Sequence, residues 1–91
     1  MATIDITRTH KLPRDEARTA AENVARRLQD KLEAKWRWVG EDIVFEATGA
    51  KGKMTLTDGK VRVEIDLSFV LRPLKGKVEQ KTNQYLDEYI K

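Results

Sequence analysis

Apolar residues recur along this chain with two different periods, and the change of period divides it into elements. At the start, "TIDITRTH" alternates, with Ile4 and Ile6 on one face and Thr3, Asp5 and Thr7 on the other. That is the pattern of a short strand. "KLP" ends it, and the spacing then lengthens to three and four residues. Ala17, Ala21, Val24, Leu28 and Leu32 fall on one stripe, widened by Ala20 and Ala25, which predicts an amphipathic helix over 13–34. Pro13 suits its first turn, where the missing N–H has no partner to lose. Asp15 and Glu16 follow, where the helix dipole favours anions.

From Lys35 the period becomes two. Trp36 and Trp38 share one face, opposite Lys35 and Arg37. Gly40-Glu41-Asp42 reads as a turn, after which Ile43, Phe45 and Ala47 share a face. "GAKG" reads as the next turn, Met54 and Leu56 as the inward side of a further strand, and Asp58-Gly59 as the strongest hairpin signal in the chain. In "KVRVEIDLSFVL", Val61, Val63, Ile65, Leu67, Phe69 and Leu71 alternate with Arg62, Glu64, Asp66 and Ser68. Strict parity sends Phe69 and Leu71 into the core and Val70 outward. One packed and one wet face is the mark of an antiparallel sheet. Arg72-Pro73 breaks the run, and a last helix is expected over 74–89, with Leu74, Val78, Tyr85, Leu86, Tyr89 and Ile90 on its apolar side. The prediction is a single α+β domain over 1–91. It has an antiparallel sheet of about five strands with two helices on one face, in the order β-α-β-β-β-β-α.

Composition narrows the function classes. The 91 residues carry 18 Lys and Arg against 15 Asp and Glu, a net charge of +3. That is mildly basic and lacks the one-sided balance of a dedicated nucleic-acid binder. With no cysteine, disulfides, thiolate metal sites and cysteine nucleophiles are excluded. "MATIDITRTHKL" has no apolar core of the signal-peptide kind, and no run approaches the ~20 apolar residues of a membrane span. The expected location is the cytoplasm.

Catalytic motifs fail on inspection. His10 is the only histidine, with no second histidine or Glu-x-x-His partner at ligand spacing. It continues the parity of Ile4 and Ile6, which puts it at the rim of the core, and its alternative role is a pH-sensitive contact or a hydrogen bond to a ligand. "TGAKGKM" departs twice from a phosphate loop: Ala47 stands where the first glycine is required and Met54 where a hydroxyl must hold magnesium. Gly49-Ala50-Lys51-Gly52 has the form of a GXXG nucleic-acid clamp, but that clamp joins helices and this segment joins strands. Glu64 and Asp66 share a wet strand face beside Arg62 and several lysines, which points to cross-strand ion pairs rather than acid–base catalysis. Ser68 lacks a nucleophile elbow. Hence no catalytic residue, cofactor or metal site is expected.

Basic residues are more suggestive. Arg72, Lys75, Lys77 and Lys81 cluster where the long strand meets the last helix. Such a cluster can meet an anionic surface or serve solubility alone. Trp36 and Trp38 are the only candidates for aromatic stacking platforms, although same-face tryptophans on a strand also suit a core.

With "ITRTHKLPRDEA" near the start, "WRWVGEDIVFEATGAKGKMTLTDGKVRVEIDLSFVLRPLKGKVEQ" in the middle and a charged final helix, the chain resembles the polyhydroxyalkanoic acid system family of the polyhydroxyalkanoate granule region. The most specific pieces are His10-x-Leu12 followed by Ala17, and "RPLKGKVE". The resemblance implies a bacterial polyester-storage setting and proteins encoded near synthesis or granule genes. It implies no reaction and no binding site. The reading that follows is a non-enzymatic accessory, cytoplasmic and granule-associated, that binds the granule surface or a granule-coating protein. Trp36, Trp38, Arg72, Lys75 and Lys77 are its candidate binding residues, with Tyr85 and Tyr89 as further apolar contacts if exposed. The alternatives are a carrier of a small apolar ligand such as an acyl chain, and a weak nucleic-acid-binding module. No specific nucleic acid partner and no transmembrane segment are expected.

Overall fold

A computed structural model describes residues 3–90; the Leu32 side chain, part of the expected helical stripe, lies outside the described residues. The elements are β1 (Ile4–Thr9), α1 (Arg14–Leu32), β2 (Lys35–Val39), β3 (Asp42–Ala47), β4 (Ala50–Thr57), β5 (Lys60–Leu67), a 3₁₀ segment (Phe69–Leu74) and α2 (Lys75–Tyr89). The expected order β-α-β-β-β-β-α is therefore present. All strand pairs are antiparallel, and the sheet runs β1-β5-β4-β3-β2. Strands β2 to β5 form a meander. β1 adds to its far side against β5, so the two strands that flank α1 in sequence occupy opposite edges of the sheet.

Three tight hairpins close the meander, with Val39 opposite Asp42, Ala47 opposite Ala50 and Thr57 opposite Lys60. Each loop is two residues long, and each carries a glycine at positive φ: Gly40, Gly49 and Gly59. At the Asp58-Gly59 turn the glycine takes φ +77°, a region that costs glycine nothing. The second turn is shorter than the four residues of "GAKG". Only Thr48 and Gly49 turn, and Ala50, Lys51 and Gly52 already belong to β4. Gly52 is needed there for another reason. It sits opposite Phe45, and a Cβ built on it would lie 2.1 Å from Cε2 of that ring.

Alternation holds in every long strand. Val61, Val63, Ile65 and Leu67 are buried against the helices with Ile4, Ile6, Ile43, Phe45, Met54 and Leu56. The outer face is a lattice of opposed charges. Arg62 donates two hydrogen bonds to the Asp5 carboxylate (3.0 and 2.7 Å), Lys53 stands opposite Glu64, and Lys51 stands opposite Asp66. Glu64 and Asp66 are thus placed for cross-strand pairing, as their neighbours in sequence suggest.

Both helices cover the inner face. α1 packs Ala17, Ala20, Ala21, Val24, Ala25 and Leu28 into the core, and its alanines allow close approach to the sheet. Pro13 is its N-cap, one position before the first turn, and Glu33 ends it at φ +53° with its N–H donated to the Gln29 carbonyl. α2 buries Val78, Thr82, Tyr85 and Leu86. The Thr82 hydroxyl satisfies itself by donating to the Val78 carbonyl at 2.8 Å. Arg8 follows the inward parity of Ile4 and Ile6 and ties β1 to α2 by bonds to Asn83 (2.8 Å) and Asp87. Arg27 ties α1 to α2, donating to the Tyr89 hydroxyl at 3.1 Å with its guanidinium 4.6 Å from the Tyr85 ring centre.

Candidate functional site

Strand β5 ends because its partner ends. Leu67 stands opposite Ala50, the first residue of β4, and one step further the neighbouring chain has already turned at Thr48-Gly49. The Ser68 N–H takes the Gly49 carbonyl (2.7 Å), and the Ser68 carbonyl then accepts from the N–H groups of Leu71 (3.0 Å) and Arg72 (3.1 Å). The backbone closes into a 3₁₀ segment, and Pro73 prevents any return to a ladder.

This overturns the expected inward placement of Phe69 and the expected strand through Leu71. Phe69 is 86 % exposed and Val70 79 % exposed, while Leu74, expected on the buried side of the last helix, is 48 % exposed at its N-cap. Leu71 alone keeps part of the inward role. It lies over Gly49, where an added Cβ would meet its Cδ1 at 2.9 Å. Period-two reasoning assigns a face only while a ladder exists; past Leu67 there is none.

Around this apolar projection stand cations. Arg72, Lys75 and Lys77 are exposed, and Lys81 is half-buried one turn further along α2. Among the described residues none of the four has a carboxylate within 4.0 Å, whereas Arg8, Arg14, Arg18, Arg27 and Arg62 all do. The first turn of α2 contains no acidic residue, and its lysines face the positive end of the helix dipole, an arrangement that does not stabilise the helix. Beside them a groove of about 320 Å³ runs between the helices, lined by Leu28, Lys31, Leu74, Lys77, Val78 and Lys81.

The two tryptophans are elsewhere and otherwise engaged. On edge strand β2 they stand opposite Phe45 and Ile43 and face α1. Trp36 Nε1 donates to Gln29 Oε1 at 2.9 Å, and the Arg18 guanidinium lies 4.1 Å from the Trp38 ring centre. Both rings are half-buried seats for the helix. Three strand steps, about 14 Å at ordinary strand spacing, separate the Trp36 and Trp38 strand from β5, which leads into the segment carrying Arg72, Lys75 and Lys77. Tyr85, at 1 % exposure, is core and offers no surface contact; Tyr89 is half-buried under Arg27.

His10 lies at the other end of the sheet. Its Nδ1 accepts the Leu12 N–H at 3.1 Å, and its Nε2 is buried without a hydrogen-bond partner among the described residues. A small cavity of about 140 Å³ adjoins it, shared with Arg14, Arg18 and Glu41, but both arginines are already paired with that glutamate.

The family described as "Putative polyhydroxyalkanoic acid system protein" matches residues 4–90 of the chain. No curated protein and no solved structure matches it. Among the described residues no helix is long and apolar enough to cross a membrane.

Proposed function

The chain belongs to the polyhydroxyalkanoic acid system family, and from that premise we propose that it is a non-enzymatic accessory of the polyhydroxyalkanoate store that attaches to the granule surface. One observation carries this reading: Phe69 and Val70 project into solvent beside Arg72, Lys75 and Lys77. Apolar side chains of this size are ordinarily withdrawn from water. Each contributes roughly 1.5–3 kcal/mol when fully buried. Here the fold turns two of them outward on a segment closed by the bonds of the Leu71 and Arg72 N–H groups to the Ser68 carbonyl. Water-facing apolar residues on a turn suit contact with an apolar surface. The flanking cations add attraction to any anionic coat.

Arg72, Lys75 and Lys77 keep the role expected of them, and Phe69, Val70 and Leu74 replace Trp36 and Trp38 as the apolar part of the surface. The inward-facing side chains of the sheet support a structural rather than catalytic interior, and no nucleophile, base and orienting group have been brought together in the sites described above.

The test is granule fractionation from polyester-producing cells expressing either the natural chain or Phe69→Ser/Val70→Ser. The natural chain is expected with the granules and the double variant in the soluble fraction. A natural chain found only in the soluble fraction, or a double variant that stays with the granules, refutes attachment through this turn. Incubation of the pure protein with amorphous polyester is expected to release no hydroxy acid above blank; release would refute the accessory role.

A further inference from the structure

Leu74 belongs to two features at once. It ends the exposed 3₁₀ segment, and it forms one wall of the groove between α1 and α2. Leu28 and Val78 complete the apolar lining, and Lys31, Lys77 and Lys81 supply the rest; the lining contains no carboxylate. The exposed segment and the groove thus meet at Leu74, and five cations stand along the two: Lys31, Arg72, Lys75, Lys77 and Lys81. None of the five is paired with a carboxylate within 4.0 Å among the described residues.

Three kinds of surface could cover such a patch, and they differ in what they offer the lysines. Bare polyester presents neutral esters. It would satisfy Phe69, Val70 and Leu74 but bring no counter-charge to the cations it dehydrates. A protein interface of ordinary size needs about 800 Å² on each partner with an aromatic-rich, lysine-poor core. The patch offers one aromatic ring on a narrow convex turn and is rich in lysine. An interface of lipids with anionic headgroups offers both halves. Acyl chains receive the apolar side chains, and lysines extend their stems along apolar surface while holding their charge among the headgroups.

We propose that this end of the molecule docks on a lipid surface bearing anionic headgroups. Phe69 and Val70 insert among the acyl chains. Leu74, exposed at the mouth of the groove above Leu28 and Val78, lies against one of them, and the lysines around it contact headgroup oxygens. The inference deepens the granule reading, on which its place in the cell rests, by naming the chemistry of the surface.

The experiment uses the full chain and three surfaces: vesicles of phosphatidylcholine alone, vesicles containing phosphatidylglycerol, and lipid-free particles of amorphous polyester. Binding is measured by co-sedimentation over a range of salt. The expected result is binding to phosphatidylglycerol vesicles that weakens as salt rises, with little binding to phosphatidylcholine. Each basic residue near an anionic lipid surface is worth about a fivefold change in affinity. Lys31→Gln/Lys77→Gln, both exposed in the free protein, should therefore bind roughly 25-fold more weakly. Phe69→Ser/Val70→Ser should lose at least about tenfold. Lys11→Gln/Lys60→Gln is the control. These lysines sit at or next to the other end of the sheet, Lys60 at the start of β5 opposite Thr9, more than about 20 Å along the strand from Leu67 and beyond the ~8 Å screening length at physiological salt, and should change affinity less than about twofold.

Equal binding to both vesicle types, or equal weakening in the control, overturns the proposal. So does vesicle binding that survives Phe69→Ser/Val70→Ser. Binding to polyester particles but to neither vesicle overturns the lipid inference and leaves granule attachment standing. Anionic vesicle binding by a chain absent from the granule fraction does the reverse.

Discussion

Replacing Gly52 by alanine sets two effects of opposite sign against each other, and the structure decides between them. In a strand with free space, Gly→Ala stabilises by about 0.4–1 kcal/mol, because the unfolded chain loses freedom. Here the new Cβ would lie 2.1 Å from Cε2, 2.3 Å from Cζ and 2.9 Å from Cδ2 of Phe45. The ring lies across the glycine and must retreat by more than about 1 Å to reach ordinary contact at 3.4 Å. Phe45 is only 3 % exposed and belongs to the core cluster, so the ring has little room to move without disturbing its neighbours. Overpacking of this kind costs about 1–3 kcal/mol. The overlap should win, leaving Gly52→Ala less stable by roughly 0.5–2 kcal/mol. At about 4–8 °C per kcal/mol for a domain of this size, the melting temperature should fall by roughly 2–16 °C. The assay is thermal denaturation of four chains: the natural one, Gly52→Ala, Phe45→Leu and the pair. With the ring gone the alanine should be neutral or stabilising, so the two substitutions should couple by about 1 kcal/mol or more. A higher melting temperature for Gly52→Ala in the natural background, or the same change in both backgrounds, would show that the ring does not cover this glycine.

Further outcomes follow from other positions. Ile65→Asp places an unpaired charge at a site with no solvent exposure; that costs several kcal/mol out of a total of about 5–15, and the cooperative melting transition should disappear. Glu33→Gly relieves a non-glycine residue at φ +53° and should raise the melting temperature by a few degrees. The hydrogen bonds from Arg62 hold the Asp5 carboxyl below the usual aspartate range. Their contribution should be complete above about pH 5 and fade as the pH falls through the lowered value. The stability difference between the natural chain and Asp5→Asn, followed by denaturant unfolding, should therefore shrink in acid; a difference that grows there would reverse the sign. Phe69→Ser/Val70→Ser should leave the melting temperature within about 2 °C, since neither side chain is packed.

Most of the architecture is readable from the two periods and the turn residues, because each depends on neighbours in sequence. The surface is harder, and Phe69 shows why. Its parity matches Val61, Val63, Ile65 and Leu67, yet facing inward requires a strand to pair with. The information was present in non-local form. The Asp58-Gly59 turn sets Thr57 opposite Lys60, and continuing that register carries Leu67 to Ala50 and Phe69 into the Thr48-Gly49 turn. Reading "GAKG" as a four-residue turn hid that limit. The half-burial of Trp36 and Trp38 under the helix was not legible for another reason. Which helical residues meet them depends on how α1 is rotated over the sheet, and that rotation brings Gln29 and Arg18 onto the rings. The exposure of Arg72, Lys75 and Lys77 was legible because charge near a strand–helix junction needs no tertiary information to stay in water.

The packing of α1 divides the work of the chain between β1 and β2. The chain leaves β1 on one edge of the sheet, but α1 packs chiefly over β2, β3 and β4, while α2 covers β1. By Arg14 the chain already reaches Glu41, in the turn between β2 and β3. The sideways step therefore falls largely to residues 10–13, and α1 then runs back along the sheet, past Trp38 at Arg18 and Trp36 at Gln29, to Lys35. Hairpin tips can accept extra residues at little cost, whereas a four-residue link spans at most about 14 Å and has little slack to lose. Length variation among sequences that keep this fold should accordingly fall at the hairpins and spare residues 10–13.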